Sequence, residues 1–278
     1  MTGTVLAILA MAPSVLFLLS ALAYQLYVAR WQKNTATPAS YPRVTVIAPQ
    51  RGPIDPVSIE ALLAQEYVGP WEVIFVTTKE DVAYGQLQPY AEEHANVRLV
   101  QARDVVRLAQ MEGIHRGQKS ENLLAAIEAS HPDTEFFATI DADVWPSREW
   151  LRSLVEPFFR TTSPLAATTM ARLSLPGANW ASCAHACWTL GSVCYLLAPT
   201  IFTWGGSMAF PKKIIEETNV LERWRGRRGS ISTDDLHLGM ALRQAKWASW
   251  RRNYGIGFVP GAMGMSRPPG RDPSVADL

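Results

Sequence analysis

Short apolar runs alternate with segments that favour helices through the first half of the chain. Each run is bounded by turn-forming residues and has the length of a buried strand. Strands that alternate with helices build a parallel sheet covered on both faces, so we expect a Rossmann-like α/β domain. The predicted strands are 44–49, 71–77, 97–101 and 136–140, and the predicted helices are 56–65, 84–94, 120–130 and 146–159.

The second half adds a predicted strand at 165–171, a glycine turn leading into a short strand at 204–210, and a helix at 234–247. Segment 180–202 is apolar and long enough to cross a bilayer. Crossing would place the residues after it on the other side of the membrane from Asp141, and Gly191 and Pro199 interrupt it. We therefore expect a helix in the core or at the membrane interface.

The N-terminal 30 residues are typical of a membrane anchor. No residue from Thr2 to Ala29 is charged, and about twenty apolar residues span a bilayer as a helix. Arg30 and Lys33 follow, so the positive-inside rule places the rest of the chain in the cytoplasm. The alternative is a cleaved signal peptide, whose basic leading region is absent here. The predicted organisation is an anchor (1–30), a linker (31–43), a cytosolic globular domain (44–258) and a disordered tail rich in Gly and Pro (259–278).

Composition excludes some classes of protein. The 278 residues are 48% hydrophobic and only 18% charged, and the formal net charge is +1. A chain so nearly neutral is unsuited to general nucleic-acid coating, so we expect no nucleic-acid partner.

The three cysteines, Cys183, Cys187 and Cys194, are odd in number and lack the paired spacing of a zinc site. This pattern favours buried thiols in a helix.

An Asp-Ala-Asp sequence directly follows the apolar run 136–140. Open α/β sheets bind ligands beyond the carboxyl ends of their strands, and Mg²⁺ typically takes one or two carboxylates together with substrate phosphates. Asp141 and Asp143 therefore indicate a metal–diphosphate site. The alternative is a helix cap, because the residues after Pro146 look helical.

Several motifs in a fixed order give the chain a family resemblance. With the opening strand 44–49, the strand 71–76 and the acidic pair Glu80-Asp81, they are Gly117-Gln118-Lys119-Ser120-Glu121-Asn122-Leu123, Asp141-Ala142-Asp143, 204–210 and Ser232-Thr233-Asp234-Asp235. The second acidic cluster lies roughly ninety residues beyond the first, and the joint order is more specific than any single motif. The chain resembles the inverting family-two glycosyltransferases of the GT-A fold, and within them the ceramide glucosyltransferase-like branch. That resemblance implies a Rossmann-like mixed, mostly parallel sheet with helices on both faces. The resemblance covers 41–258 and the anchor.

The resemblance implies a binding site for the sugar-nucleotide donor. Asp81 would contact the base or ribose, with Glu80 as a competing choice. Asp141 and Asp143 would bind the ribose and the Mg²⁺ or Mn²⁺ that neutralises the diphosphate. Lys119 would lie near that diphosphate. Asn122 would be its neighbour on the same helix.

The resemblance also implies the catalytic residues. Gly205 and Gly206 would line the pocket for the donor sugar and the acceptor. Asp235 would be the general base, and Asp234 stands where glutamate is common in the family. The alternative for this acidic pair is a cap of the helix at 234–247. His237 is either an active-site neighbour or, as we prefer, an ordinary helix histidine.

The chain departs from the family pattern at its C-terminal side. The family's Gln/Arg-x-x-Arg-Trp motif is absent, although Arg243-Gln244-Ala245-Lys246-Trp247 looks similar two helical turns past Asp235. We interpret that segment as the end of a helix, where basic residues suit the dipole. We therefore expect a truncated or frame-altered member of the family. Loss of the C-terminal motif would affect the binding of the acceptor in particular.

The predicted function is a membrane-anchored, metal-dependent inverting glycosyltransferase on the cytoplasmic face. It would move a hexose from a UDP-linked donor to a lipid or membrane-proximal acceptor. Two alternatives remain open: a nucleotidyltransferase, which also uses a Rossmann-like sheet and metal-binding aspartates, and a catalytically impaired homologue that only binds the nucleotide sugar.

Overall fold

The computed structural model describes residues 38–113, 117–159, 165–169, 172–174, 203–226, 233–245, 255–258 and 264–266, together with Leu22 and Leu26. The remainder of the predicted anchor, the apolar segment 180–202 and the three cysteines lie outside the described residues. Within the described ranges, no helix combines the length and the apolar character needed to cross a membrane.

The described strands form one large sheet and one small one. They are β1 (Val44–Pro49), β2 (Trp71–Thr77), β3 (Val97–Gln101), β4 (Phe136–Ile140), β5 (Leu165–Thr169), β6 (Arg172–Ser174), β7 (Ser207–Pro211), β8 (Gly255–Phe258) and β9 (Gly264–Ser266). Seven of them form a sheet in the order β3-β2-β1-β4-β7-β5-β8, and β6 pairs with β9. β7 is antiparallel to both of its neighbours, whereas the other pairs in this sheet are parallel. The prediction of a mixed, mostly parallel sheet is confirmed.

The described helices are α1 (Pro56–Leu63), α2 (Val82–Glu93), α3 (Val105–Glu112), α4 (Gln118–Ala129), α5 (Trp150–Val155), α6 (Lys213–Glu217), α7 (Val220–Trp224) and α8 (Asp234–Gln244), with a 3-10 turn at Glu156–Phe159. An aspartate begins each of the first three. The side chains of Asp55, Asp81 and Asp104 accept hydrogen bonds from amide groups of α1, α2 and α3. Such caps satisfy amide groups that have no partner within the helix.

Helices cover both faces of the sheet. Successive residues of a strand point to opposite faces, and β1 sends Val44, Val46 and Ala48 to one buried cluster and Ile47 to the other. The first cluster also contains side chains of α1, α2 and α5, and the second contains side chains of α4, α6, α7 and α8. The apolar runs of the sequence are therefore the centre of a three-layer α/β fold.

The structure differs from the sequence-based prediction in three places. The helix α3 was not predicted, although Asp104 caps its start and Gly113 ends it in the left-handed conformation. The predicted helix 146–159 begins only at Trp150. Finally, the segment 259–278, predicted to be disordered, contains β9, which pairs in parallel with β6.

One edge of the sheet collects the polar loops. Because β1, β2 and β4 are parallel, the loops that follow them emerge at the same edge. β7 runs the opposite way, so its first residue, Ser207, pairs with Ile140 at the end of β4. The glycine turn before β7 therefore lies at that same edge.

Candidate active site

Asp141 and Asp143 lie in a turn at the end of β4. The amide of Val144 donates to the carbonyl of Asp141 (3.2 Å), which closes the turn, and the Asp143 side chain is exposed. The next helix begins at Trp150, and Glu149 occupies its cap position. The helix-cap alternative is thus wrong for both aspartates.

Two hydrogen bonds link this turn to the start of α1 and fix its position. The hydroxyl of Ser58 donates to the carbonyl of Val144 (3.0 Å), and the indole N–H of Trp145 donates to the carboxylate of Asp55 (2.8 Å). Sequence reasoning missed these residues. Asp55 carries the signal of a helix cap, but its second role, holding Trp145, depends on the loops being adjacent in space.

The glycine turn connects β4 to the acidic pair. Gly206 accepts the amide of Asp141 through its carbonyl (3.0 Å), and Gly205 accepts the hydroxyl of Thr139 (3.1 Å), 66 residues earlier in the chain. On the other side, the amide of Gly205 donates to Oδ2 of Asp235 (3.2 Å). The structure thus brings Asp141, Gly205, Gly206 and Asp235, four of the predicted site residues, together in space.

Asp235 lies in the first turn of α8 and is partly exposed. Its Oδ1 accepts the amide of Leu236 (2.7 Å), and its backbone carbonyl accepts the hydroxyl of the fully buried Thr203 (3.1 Å). The cap position is occupied by Thr233, whose side chain makes no capping bond. Acidic groups in a first helical turn are stabilised by the helix dipole. Asp235 therefore has a helix-stabilising contact and an oxygen directed at the glycine turn. Sequence reasoning missed Thr203.

Lys119 places a positive charge between the two acidic clusters. It lies in the first turn of α4, and its Nζ is 2.6 Å from Oδ1 of Asp141 and 3.4 Å from Oδ1 of Asp234. Burial lowers the pKa of this amine, but the charges of Asp141 and Asp234 outweigh burial, so the net pKa is raised. The side chain is 32% exposed and contacts two carboxylates, so Lys119 is not an ordinary surface lysine of α4.

Asp234 is almost completely enclosed, at 4% exposure. Burial raises the pKa of its carboxyl to about 6, although Lys119 pulls that pKa down. Among the described residues, Oδ2 has no hydrogen-bond partner. A β-carbon added to Gly205 would lie 3.0 Å from Cγ of Asp234, so the close approach of this carboxylate requires glycine there. Asp234 is the less accessible acid of the pair.

The other two predicted donor-site residues have structural partners. The carboxylate of Asp81 caps α2 through the amide of Ala83 (2.9 Å) and also accepts the amide of Gly52 at 2.9 and 3.1 Å. This fixes the loop after β1, where Gly52 has a φ of 72°. Asp81 therefore lies at the expected edge, between the loops that follow β1 and β2.

Asn122 is buried and bonded on both sides of its amide. It donates to the carbonyl of Val76 in β2 (3.3 Å) and accepts from Gln118 (2.9 Å). Gln118 also accepts the amide of Val105 (3.0 Å) and donates to the carbonyl of Arg103 (2.9 Å). These contacts fix the start of α4, which carries Lys119.

His237 is buried in α8, and both of its ring nitrogens have no hydrogen-bond partner among the described residues. Burial lowers its pKa, as does the nearby charge of Arg223, against an opposite effect of Asp235. This is a core position, as expected for an ordinary helix histidine.

The oxygen donors at this edge suit Mg²⁺ or Mn²⁺ that also binds phosphate. Among the described residues, no three His, Cys, Asp or Glu side chains converge as a group that could hold a metal ion. Asp141 directs Oδ1 at a cation, the ammonium of Lys119, and Asp143 lies in the same turn. One or two carboxylates completed by substrate phosphates are a typical Mg²⁺ arrangement. The residues present therefore fit a metal that arrives together with a diphosphate.

Known proteins resemble this chain in structure and in sequence pattern. No curated protein matches the chain in sequence. Among solved structures, TarS 1-349 from S. aureus superimposes with a TM-score of 0.51 at 12% identity, over 82% of this chain and 61% of that one. A 4-diphosphocytidyl-2C-methyl-D-erythritol synthase from Anaerococcus prevotii DSM 20548 superimposes with a TM-score of 0.45 at 13% identity, over 80% of this chain and 87% of that one. This chain thus spans about three fifths of TarS 1-349. The sequence pattern described as "Glycosyltransferase like family 2" matches residues 42–269, and the chain belongs to that family.

Proposed function

We propose that the protein transfers a hexose, with inversion, from a UDP-linked donor to a hydroxyl group of a lipid or other membrane-proximal acceptor, with the help of Mg²⁺ or Mn²⁺. Within its family, we assign it to the ceramide glucosyltransferase-like branch on the sequence resemblance. One observation carries the proposal. The ammonium of Lys119 lies between the carboxylate of Asp141, which follows β4, and that of Asp234, which begins α8.

The reaction needs two kinds of group on opposite sides of the sugar. The acceptor oxygen forms a bond to the anomeric carbon as the bond from that carbon to the diphosphate oxygen breaks. The diphosphate leaves with the electron pair, and the hydroxyl proton passes to a base. A positioned carboxylate base contributes typically ~10²–10⁴-fold. Asp235 is the accessible acid of its pair, and the glycine turn and Thr203 fix its position, so we assign it this role.

The second requirement is that the negative charge on the leaving diphosphate be stabilised. Lys119 would supply a fixed positive charge near it, and such preorganised charges are worth most in a site that excludes water. Asp141 and Asp143 would hold the divalent cation, which supplies Lewis-acid stabilisation of the diphosphate oxygens when bound. Asp81, at the loop after β2, would face the base or ribose.

The membrane-proximal acceptor rests on sequence and surface. The first 30 residues have the composition of an anchor. On α8, Leu236 and Met240 are each 43% exposed. One helical turn apart, they form a short exposed apolar strip on the helix that carries Asp235, which suits an acceptor with an apolar chain.

The test is donor cleavage by the full-length protein extracted in detergent. UDP- and GDP-linked hexoses are supplied with Mn²⁺, with and without lipid acceptors, and release of the nucleoside diphosphate is measured. We expect release that requires an acceptor, stops with chelator and falls at least a hundredfold in D235N. The matched control is D133N, because Asp133 is 81% exposed and precedes β4 at the opposite end from Asp141. It should behave as wild type.

Other outcomes would replace the proposal. Release of pyrophosphate from a nucleoside triphosphate would indicate a nucleotidyltransferase instead. Tight donor binding without turnover under all acceptor conditions would indicate a catalytically impaired homologue.

A further inference from the structure

The two acids at the start of α8 occupy different surroundings. Asp235 is partly exposed, and both of its carboxylate oxygens accept backbone amide groups. Asp234 is 4% exposed, its Oδ1 faces the ammonium of Lys119, and its Oδ2 has no hydrogen-bond partner among the described residues. A substrate hydroxyl can reach the first carboxylate far more easily than the second. Adjacent acids therefore have different tasks here.

The enclosure of Asp234 directs its charge at Lys119. Oδ1 is 3.4 Å from the ammonium, and Gly205 lies against Oδ2, the oxygen that a β-carbon added to Gly205 would overlap. The backbone is fixed as well, because the indole N–H of Trp224 donates to the carbonyl of Asp234 (3.0 Å). The fold thus holds this carboxylate rigidly beside a flexible amine.

A lysine needs such a partner to act as a fixed charge. Its ammonium sits on a four-carbon stem with several rotatable bonds, and ordering that stem costs conformational entropy. Asp141 also contacts the ammonium, but Asp141 is itself one of the proposed ligands of the donor's cation. Asp234 is enclosed by protein, at 4% exposure, so its contact with Lys119 does not compete with binding of the cation.

We infer that Asp234 is a positioning residue that holds Lys119 towards the donor diphosphate, and that Asp235 acts as the base without it. This inference rests on the proposed function and deepens it. It divides the acidic pair into one group that touches the acceptor and one that acts through Lys119.

A kinetic double-mutant cycle tests the division. The D234N variant keeps the shape of the side chain and the backbone bond to Trp224, and we expect its donor KM to rise about tenfold, as for loss of a charged hydrogen bond, with kcat nearly unchanged. K119M should raise donor KM at least as much and also lower kcat, because it removes the charge that faces the leaving diphosphate, and D234N/K119M should be no worse than K119M. D235N serves as the contrasting variant, with kcat lowered and donor KM unchanged. A loss of kcat in D234N comparable to that in D235N, or fully additive effects in the double variant, would overturn the inference.

A donor-independent measurement separates this inference from the proposed function. The rate at which an N-hydroxysuccinimide ester acylates Lys119 is followed by peptide mass spectrometry in the full-length protein, with exposed Lys79 as the internal reference. D234N should accelerate acylation of Lys119 severalfold and leave Lys79 unchanged. G205A, whose new methyl group displaces the same carboxylate, should do likewise and covers the case in which D234N folds poorly. An unchanged rate in both variants refutes the positioning role, whereas wild-type protein that cleaves no donor refutes the proposed function.

Discussion

Replacing Asp234 by asparagine should stabilise the folded protein at neutral pH. Burial raises the pKa of this carboxyl from 3.8 to about 6, so between these values the folded protein holds a proton that the unfolded chain has lost. Stability therefore falls as the pH rises through this window, and the full cost is present above it. Each pH unit is worth about 1.4 kcal/mol, which gives a cost of ~3 kcal/mol at pH 7.5. The side chain is 5% exposed, so screening by solvent reduces this cost only slightly.

The measurement is urea unfolding of wild type, D234N and the exposed-site control D133N in detergent at pH 4 and pH 7.5. At pH 7.5, D234N should be more stable than wild type by up to ~3 kcal/mol. The gain should be much smaller at pH 4, where the wild-type carboxyl is protonated in the folded state and close to half protonated in the unfolded state. The control should show no such dependence. A gain that is the same at both pH values, or a loss at pH 7.5, would show that the enclosed charge is not the cause.

Three further predictions follow from the geometry around the site. T203V removes the hydroxyl that donates to the carbonyl of Asp235. It should lower the free energy of unfolding in urea by about 1 kcal/mol and should lower kcat with a smaller effect on donor KM. T203S should restore stability and kcat, and equal losses in T203V and T203S would contradict this reasoning. W145F removes the bond to Asp55 that holds the turn after β4, and should raise donor KM in steady-state assays with little change in kcat; an unaltered KM would mean that the turn needs no such support. Removal of divalent cations with a chelator should weaken donor binding measured by calorimetry, and added Mn²⁺ should restore it. D141N should abolish this restoration. A donor affinity that is the same with and without chelator would rule out the metal.

The strands β1, β2 and β4 were predictable because each is a short, mostly apolar run whose side chains are largely buried. β3 is less buried, but its bounds also follow the predicted range. The helix α3 could have been found as well, since Asp104 and Gly113 flank it with ordinary start and stop signals.

The start of α5 shows where local pattern fails. Gln65, which lies just after α1, accepts the amide of Leu151 (3.0 Å) and donates to the carbonyl of Ser147 (2.8 Å). A residue distant in the chain therefore holds 147–151 and satisfies an amide of the first helical turn. The helix propensity of residues 146–159 carries no information about this contact, so the helix predicted from sequence begins too early.

The candidate site divides in the same way. Sequence by itself determined that acidic residues follow β4 and begin α8, because caps, strand ends and charge patterns are local properties. It could not determine that Asp234 faces inwards to Lys119 while Asp235 faces the glycine turn. That choice depends on β7 running antiparallel beside β4, which brings Gly205 and Gly206 between segments far apart in the chain. Only the tertiary structure decides such contacts, because they arise from the order of strands in the sheet and from the burial of helices against it.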